Sequence, residues 1–286
     1  MKIISAQDRL SRRRGSHLVI VGPSGVGKTY QARMLRDQQT TVFVDNEAGT
    51  LAIDGEVTLP DGTTLPPFMG SVIEGVRTWD HMVAIATLIG GPNPIKEPGQ
   101  NYSQNAYDAI VQRYPNEAAA LRGATTIYWD SLTGTSRACW EWVKKQPRCI
   151  NGKGAFDTFA AYRYLGDEMI ELLKHIQSRV DLNIVFACIL EPDKTLQVLG
   201  QMTPRELPGV FDTIVSLVPM VNTQSGVFLA DGAPPELERF RAFVCGQLNP
   251  FGLPAKDRSG RLAMLERPDL GALLAKLSGQ PTGAAA

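Results

Sequence analysis

The residues whose types and spacing best suit chemistry lie in one stretch, Gly22-Pro23-Ser24-Gly25-Val26-Gly27-Lys28-Thr29. Glycines at 22 and 27, followed by a lysine and a hydroxyl residue, fit the P-loop pattern. The glycines let the backbone turn tightly, so that successive N–H groups converge on phosphate oxygens. Lys28 would reach the β- and γ-phosphates as a point charge. The Thr29 hydroxyl would hold Mg²⁺, a hard cation that prefers oxygen ligands. With Tyr30 adjoining it, the segment from Gly22 to Tyr30 is the expected nucleotide-binding element.

Chemistry at a bound triphosphate needs two further groups. The first is an acid that organises Mg²⁺. Asp130 closes the apolar run Thr125-Thr126-Ile127-Tyr128-Trp129 and would emerge at the same sheet edge as the loop. It is followed by Ser131, which could hydrogen-bond the metal's shell; the alternative for Asp130 is a cap on the next helix. The second group polarises the attacking water. Asp45-Asn46-Glu47 closes another strand-like run, and Glu47 has the longer reach. A surface turn acid is the other reading of Glu47.

These groups need a scaffold. Residues 17–21, His-Leu-Val-Ile-Val, read as a buried parallel strand leading into the loop. Residues 30–38 contain no Gly or Pro and read as the helix that would point its positive end at the phosphates. Further strands are expected at 41–45, 125–131, 183–190, 213–218, 226–230 and 240–246. The run 183–190 is the most apolar and should lie beside the loop's strand. Asp61-Gly62 between alternating residues predicts a small hairpin within 49–75. Helices are expected at 77–89, in two pieces broken near Pro115 over 105–122, at 135–146, at 159–179 and at 269–277. Polar loops are expected at 147–157 and 191–208, a turn-rich segment at 249–260, and a disordered tail from 278. No repeat and no clean linker interrupts the chain, so one α/β domain over residues 1–277 is expected.

Composition narrows the class. The chain has 286 residues, 43% of them hydrophobic, with 29 basic and 29 acidic residues. A balanced charge supplies no overall field toward nucleic acid or membrane, so any such contact must be local. The basic row Arg12-Arg13-Arg14 reads as a solvated arm or a DNA contact. No apolar run approaches the ~20 residues that a membrane helix needs. Cys139, Cys149, Cys188 and Cys245 have no metal-ligand spacing and read as reduced core thiols, which suggests a cytoplasmic protein.

The order of P-loop, Asp-X-Glu after the next strand, strand ending Asp-Ser and late Lys-Asp-Arg resembles the RecA-like core ATPases. It is most similar to the phage-encoded nucleotide-binding proteins of that class, some of which act in single-strand annealing or recombination. The resemblance covers the chain from about Gly15 to Leu277. It implies a RecA-like α/β fold with a mostly parallel sheet and C-terminal antiparallel strands. It implies ATP and Mg²⁺ as cofactors, with Glu47 activating water and Asp130 organising the metal. Ala255-Lys256-Asp257-Arg258-Ser259-Gly260 resembles the Lys-X-Arg finger of that class, so Lys256 and Arg258 would complete a neighbouring subunit's site in a ring or filament; the alternative is a charged surface turn. The DNA-facing loops of the class correspond to 147–157 and 191–208. Arg148, Lys153 and Phe156 in the first, with Lys194 and Arg205 in the second, would meet single-stranded DNA through charge and stacking, or be solvated. The run Ala187-Cys188-Ile189-Leu190 departs from the class, which ends this strand in a polar sensor. The competing function is an ATPase or nucleotide switch acting on a protein partner, in replication or particle assembly.

Overall fold

The computed structural model describes residues 4–11, 14–58, 62, 64–200 and 202–279. In chain order it contains α1 (Ala6–Ser11), β1 (His17–Gly22), β2 (Thr41–Asp45), α2 (Leu51–Asp54), β3 (Val57–Thr58), β4 (Thr64–Leu65), β5 (Ser71–Ile73), α3 (Trp79–Gly90), α4 (Gln104–Arg113), α5 (Pro115–Gly123) and β6 (Thr126–Asp130). There follow α6 (Leu132–Val143), α7 (Thr158–Gln177), β7 (Asn183–Ile189), α8 (Met202–Val210), β8 (Thr213–Thr223), β9 (Gly226–Leu229), β10 (Arg239–Val244), β11 (Lys256–Asp257), β12 (Leu265–Glu266) and α9 (Leu270–Ser278).

The main sheet has the order β12-β10-β8-β1-β7-β6-β2-β5, and β9 and β11 also pair with β8. From β5 to β8 every pairing is parallel; beyond β8 all are antiparallel. This is the expected RecA-like α/β arrangement, with the loop-bearing strand β1 beside the apolar β7. One strand, β7, separates β1 from β6, which ends in Asp130.

The parallel strands read as continuous apolar runs because helices cover both faces. Alternation divides their side chains. Val19, Val21, Val44, Ile127, Trp129, Ile184 and Phe186 face a thick layer that includes α3, α6 and α7. Leu18, Ile20, Phe43, Tyr128, Val185 and Ala187 face a thinner layer that includes α9. The stack of Phe43 on Tyr128, with ring centroids 5.3 Å apart, fills the second face directly under the loop.

Several sequence expectations are corrected. Residues 30–38 do not form an α-helix. A 3₁₀ segment spans Thr29–Met34 and stops where Leu35 turns extended (φ −68°, ψ 133°). Its side chains are committed elsewhere: buried Arg33 donates to the carbonyls of Ala52 (2.9 Å) and Pro66 (2.8 Å), and Gln31 accepts from the Leu270 amide (3.2 Å). The helix expected at 135–146 begins earlier, at Leu132, because Ser131 caps it. The second half of the 191–208 loop is α8, which tolerates Pro208 near its end. The expected tail begins too early, since Ser278 closes α9 and Gly279 caps it in the left-handed region (φ 75°); residues 280–286 lie outside those described. The hairpin at Asp61-Gly62 forms, with β3 and β4 paired antiparallel, although Asp61 itself lies outside the described residues. The break at Pro115 is also found, with that proline opening α5. Arg12 and Arg13 fall outside the described residues.

Candidate nucleotide site

The loop leaves the carboxyl end of β1 and is shaped by its glycines. A Cβ on Gly22 would lie 2.4 Å from the Leu217 carbonyl oxygen of β8, so only glycine fits that close approach. Gly25 and Gly27 have φ of 76° and 97°, conformations that side-chain-bearing residues rarely adopt. Buried Lys28 folds back over the loop, its Nζ donating to the carbonyls of Gly22 (2.8 Å) and Pro23 (2.9 Å). Burial lowers its pKa, against the raising influence of Asp130, Cys188 and Glu47. Beneath the loop, the Tyr128 hydroxyl donates to the Lys28 carbonyl at 2.5 Å. Alternation along β6 places Tyr128 and Asp130 on this same face.

Strand pairing assembles the acids. β2 and β6 are neighbours in register, with Asp45 opposite Asp130. The Thr29 hydroxyl donates to Asp130 Oδ2 at 2.5 Å. Asp130 is buried, and desolvation raises its pKa to about 6; the Thr29 hydrogen bond opposes this, Glu47 adds to it and Lys28 lowers it. Asp45 shapes the turn after β2 by accepting from the amides of Glu47 (3.2 Å) and Gly49 (3.1 Å). That turn presents exposed Glu47, whose Oε1 accepts from Ser131 Oγ at 2.6 Å. Ser131 Oγ in turn accepts from the Gly134 amide (3.1 Å) as the cap of α6.

Asn46 locks the two acid-bearing turns together. It accepts from the Ser131 amide and donates to the Ser131 carbonyl (3.0 Å) and to Thr135 Oγ1 (2.9 Å). A Cβ on Gly134 would lie 2.8 Å from Asn46 Oδ1 and 3.1 Å from Glu47 Cγ, so a larger residue where α6 passes this turn would push both side chains from their places. The sequence alone assigns Asn46 no role. A side-chain amide between two acids at the end of a parallel strand was the available signal.

The donor set suits Mg²⁺. Thr29 and Asp130 offer oxygens only, and no group of three or more His, Cys, Asp or Glu forms a protein-only metal cage among the described residues. Mg²⁺ in nucleotide sites usually takes one or two protein oxygens and completes its shell with phosphates and waters. Thr29 and Asp130 would hold it, and it would neutralise phosphate charge there.

The end of β7 is apolar, as the sequence indicated. Cys188 Sγ lies 3.8 Å from Thr133 Oγ1, and burial pushes its thiol up to about 12, which keeps it protonated. Thr133 also accepts from the Ile189 amide at 3.1 Å. All four cysteines are buried and free.

Lys256 and Arg258 are not in a free turn. Lys256 lies in β11, which pairs with the start of β8, and Arg258 follows directly. Lys256 Nζ donates to the carbonyls of Pro208 and Phe211. Arg258 pairs with Asp212 at 3.0 Å and donates to the Gly209 carbonyl at 3.0 Å. This is the amino end of β1 and β8, where Leu18 lies beside Thr213. Four residues of β1 separate it from the loop, about 13 Å of strand, so neither side chain serves its own chain's loop.

Of the DNA candidates, Arg148 lies over Tyr164, its Cζ 3.2 Å from the ring centroid, and sits 3.9 Å from Glu168. Lys153 is exposed in the loop before α7. Phe156 is 41% exposed and meets Trp140 edge-on, with Phe159 and Tyr162 exposed close by on α7. Lys194 is tied to the Phe251 carbonyl at 2.8 Å. Arg205 belongs to α8, and its side chain lies outside those described.

A glycine-rich loop on a central parallel strand, a lysine folded over it and a buried strand-end acid bonded to its threonine define a P-loop nucleotide-binding protein. The chain belongs to the AAA domain family, whose model matches residues 14–259. No curated protein matches it. Among solved structures it is similar to a prototypical ATPase from the type III secretion system of pathogenic bacteria, at 14% identity and a TM-score of 0.37, over 79% of this chain and 56% of that one. It is also similar to the flagellar accessory protein FlaH from Methanocaldococcus jannaschii, at 10% identity and a TM-score of 0.34, over 92% and 91% of the two chains.

Proposed function

We propose that this chain is a Mg²⁺-dependent ATPase that binds ATP on the segment from Gly22 to Tyr30 and hydrolyses it with Glu47. The observation that carries this reading is the contact chain from Thr29 through Asp130 to Ser131 and Glu47, with Thr29–Asp130 at 2.5 Å and Ser131–Glu47 at 2.6 Å. It joins a loop hydroxyl, a strand-end acid and an exposed base at one sheet edge. The loop amides and Lys28 would bind the phosphates. Glu47 would take a proton from water as the water oxygen forms its bond to the γ-phosphorus. The bond from that phosphorus to the bridging oxygen breaks, ADP leaves, and the proton passes from Glu47 to the released phosphate. Asp45 and Asn46 hold the turn that positions Glu47 for this step.

The test is ATP turnover with and without Mg²⁺ by the intact chain and by Lys28→Ala. Turnover that needs both the metal and Lys28 supports the reading. Metal-independent turnover, or equal turnover in the variant, contradicts it.

The finer reading is an oligomer that works on single-stranded DNA, as in the phage-encoded recombination ATPases the sequence resembles. Exposed Phe156, Phe159 and Tyr162 near Arg148 and Lys153 offer stacking faces beside positive charge, a pairing suited to single strands. Lys256 and Arg258 lie at the end of the sheet opposite the loop. Head-to-tail packing would therefore bring them to a neighbour's nucleotide, which requires Arg258 to release Asp212 and Gly209. The protein-partner reading is favoured by the internal use of Arg148 and Lys194, which already have partners within the chain.

A further inference from the structure

Arg241 has no part in the sequence reading or in the mechanism above. It lies in β10, opposite Pro219 of β8. β8 passes the loop at Leu217, beside Gly22, and continues to Thr223, beyond the last residue of β1. β10 runs along this extension and forms a wall on one side of the loop. The sheet order sets that wall on the opposite side of β1 from β6 and β2, which carry Asp130 and lead into Glu47.

From this wall the Arg241 side chain reaches back to the loop. Its Nη1 donates to the Val26 carbonyl at 3.2 Å. A Cβ placed on Gly27 would lie 2.6 Å from Nη1 and 3.7 Å from Cζ, so the guanidinium rests directly against that glycine. The residue is exposed, and among the described residues no carboxylate lies within ion-pair distance of it. Its charge also reaches Tyr30, just past the loop. Loop geometry alone does not require a cation here, because the Val26 carbonyl needs one neutral donor and a guanidinium carries five. A planar fork with spare donors beside a phosphate-binding loop matches two oxygens of a phosphate.

We propose that Arg241 is a nucleotide-binding residue supplied by the same chain, gripping the α- and β-phosphates of the bound nucleotide from the side away from Glu47. The proposal rests on the P-loop reading and adds a residue and a division of labour. Asp130, Ser131 and Glu47 surround the γ-phosphate end, while Arg241 holds the part common to ATP and ADP. Because it is common to both, Arg241 sets affinity for the diphosphate as strongly as for the triphosphate.

The test is calorimetric titration of the full chain with MgATP and MgADP. It compares the unaltered protein with Arg241→Ala, Arg241→Gln, Arg241→Lys and Lys28→Ala. Loss of one charge-assisted contact is expected to raise both dissociation constants together, by about tenfold to a hundredfold, in the Ala and Gln variants. The Lys variant should recover part of the loss for both nucleotides. Unchanged affinity in Arg241→Ala overturns the proposal. So does full recovery in Arg241→Gln, which would reduce Arg241 to a neutral brace on the Val26 carbonyl. Loss confined to MgATP would place it at the γ-phosphate and overturn it as well. If the unaltered chain binds neither nucleotide, the P-loop reading itself falls. If the unaltered chain binds and Lys28→Ala does not, a failure at Arg241 concerns this residue alone.

Discussion

Asp130→Asn separates the cost of the site from its use. Burial raises the Asp130 pKa from 3.8 to about 6. At about 1.4 kcal/mol per pH unit, keeping this carboxylate ionised inside the free protein costs about 3 kcal/mol. The sign follows from proton binding. Near pH 5 the folded chain still holds the proton that the unfolded chain has lost, so stability from this group falls as pH rises between about 4 and 6. Asparagine keeps an acceptor for the Thr29 hydroxyl and carries no charge. For 286 residues with typical unfolding entropy, Asp130→Asn should raise the melting temperature by about 5 °C at neutral pH. The gain should vanish near pH 4, where the native aspartate is protonated. In MgATP the order should reverse if Asp130 holds the metal, because the variant lacks that carboxylate. Calorimetric melts at both pH values, with and without MgATP, decide the matter. A variant less stable than the native chain at neutral pH, or a difference that ignores pH, refutes the reasoning.

Lys28→Ala should abolish measurable ATP binding yet melt cooperatively, since it removes a buried charge, the buried Gly22 carbonyl keeps the Leu190 amide as donor (3.0 Å) and Pro23 is exposed to water; retained ATP affinity would contradict the phosphate role. If Arg258 acts on a neighbour, Arg258→Ala should bind ATP without turning it over, and mixing it with Lys28→Ala should restore part of the activity by pairing one intact loop with one intact arginine. Unaltered turnover in Arg258→Ala, or no rescue on mixing, would assign Arg258 to its pairing with Asp212. If the 147–157 loop meets single-stranded DNA, the logarithm of affinity should fall by about 0.7 per logarithm of salt for each phosphate neutralised. Lys153→Ala should flatten that slope and Phe156→Ala should weaken binding at every salt concentration; an absence of binding in the presence of ATP would favour a protein partner.

The sheet was legible in the sequence because its strands are buried on both faces, which leaves uninterrupted apolar runs such as 183–190. The placement of the loop, Asp130 and Glu47 at one sheet edge was legible because each sits where such a run ends. What local composition could not show was set by distant contacts. The 30–38 segment has helix-compatible residues, but Arg33 and Gln31 bind backbone groups near residues 52, 66 and 270, and the helix stops after Met34. Lys256 and Arg258 fall in a turn-rich stretch, yet carbonyls from 208–211 and Asp212 engage them. Arg241 was invisible because its loop contact spans 215 positions. Its only local sign was an arginine pair, 239 and 241, on one face of a strand.

The central claim is that Glu47 acts in catalysis and not in binding. It is tested most directly by single-turnover hydrolysis of MgATP by Glu47→Gln at saturating protein. Glutamine preserves the size of the side chain and its acceptor for Ser131 Oγ but cannot take a proton. The predicted result is ATP affinity within a fewfold of native and a hydrolysis rate lower by about 10²–10⁴. Native-like hydrolysis by a chain that still binds ATP would contradict the claim and move the catalytic base to another residue.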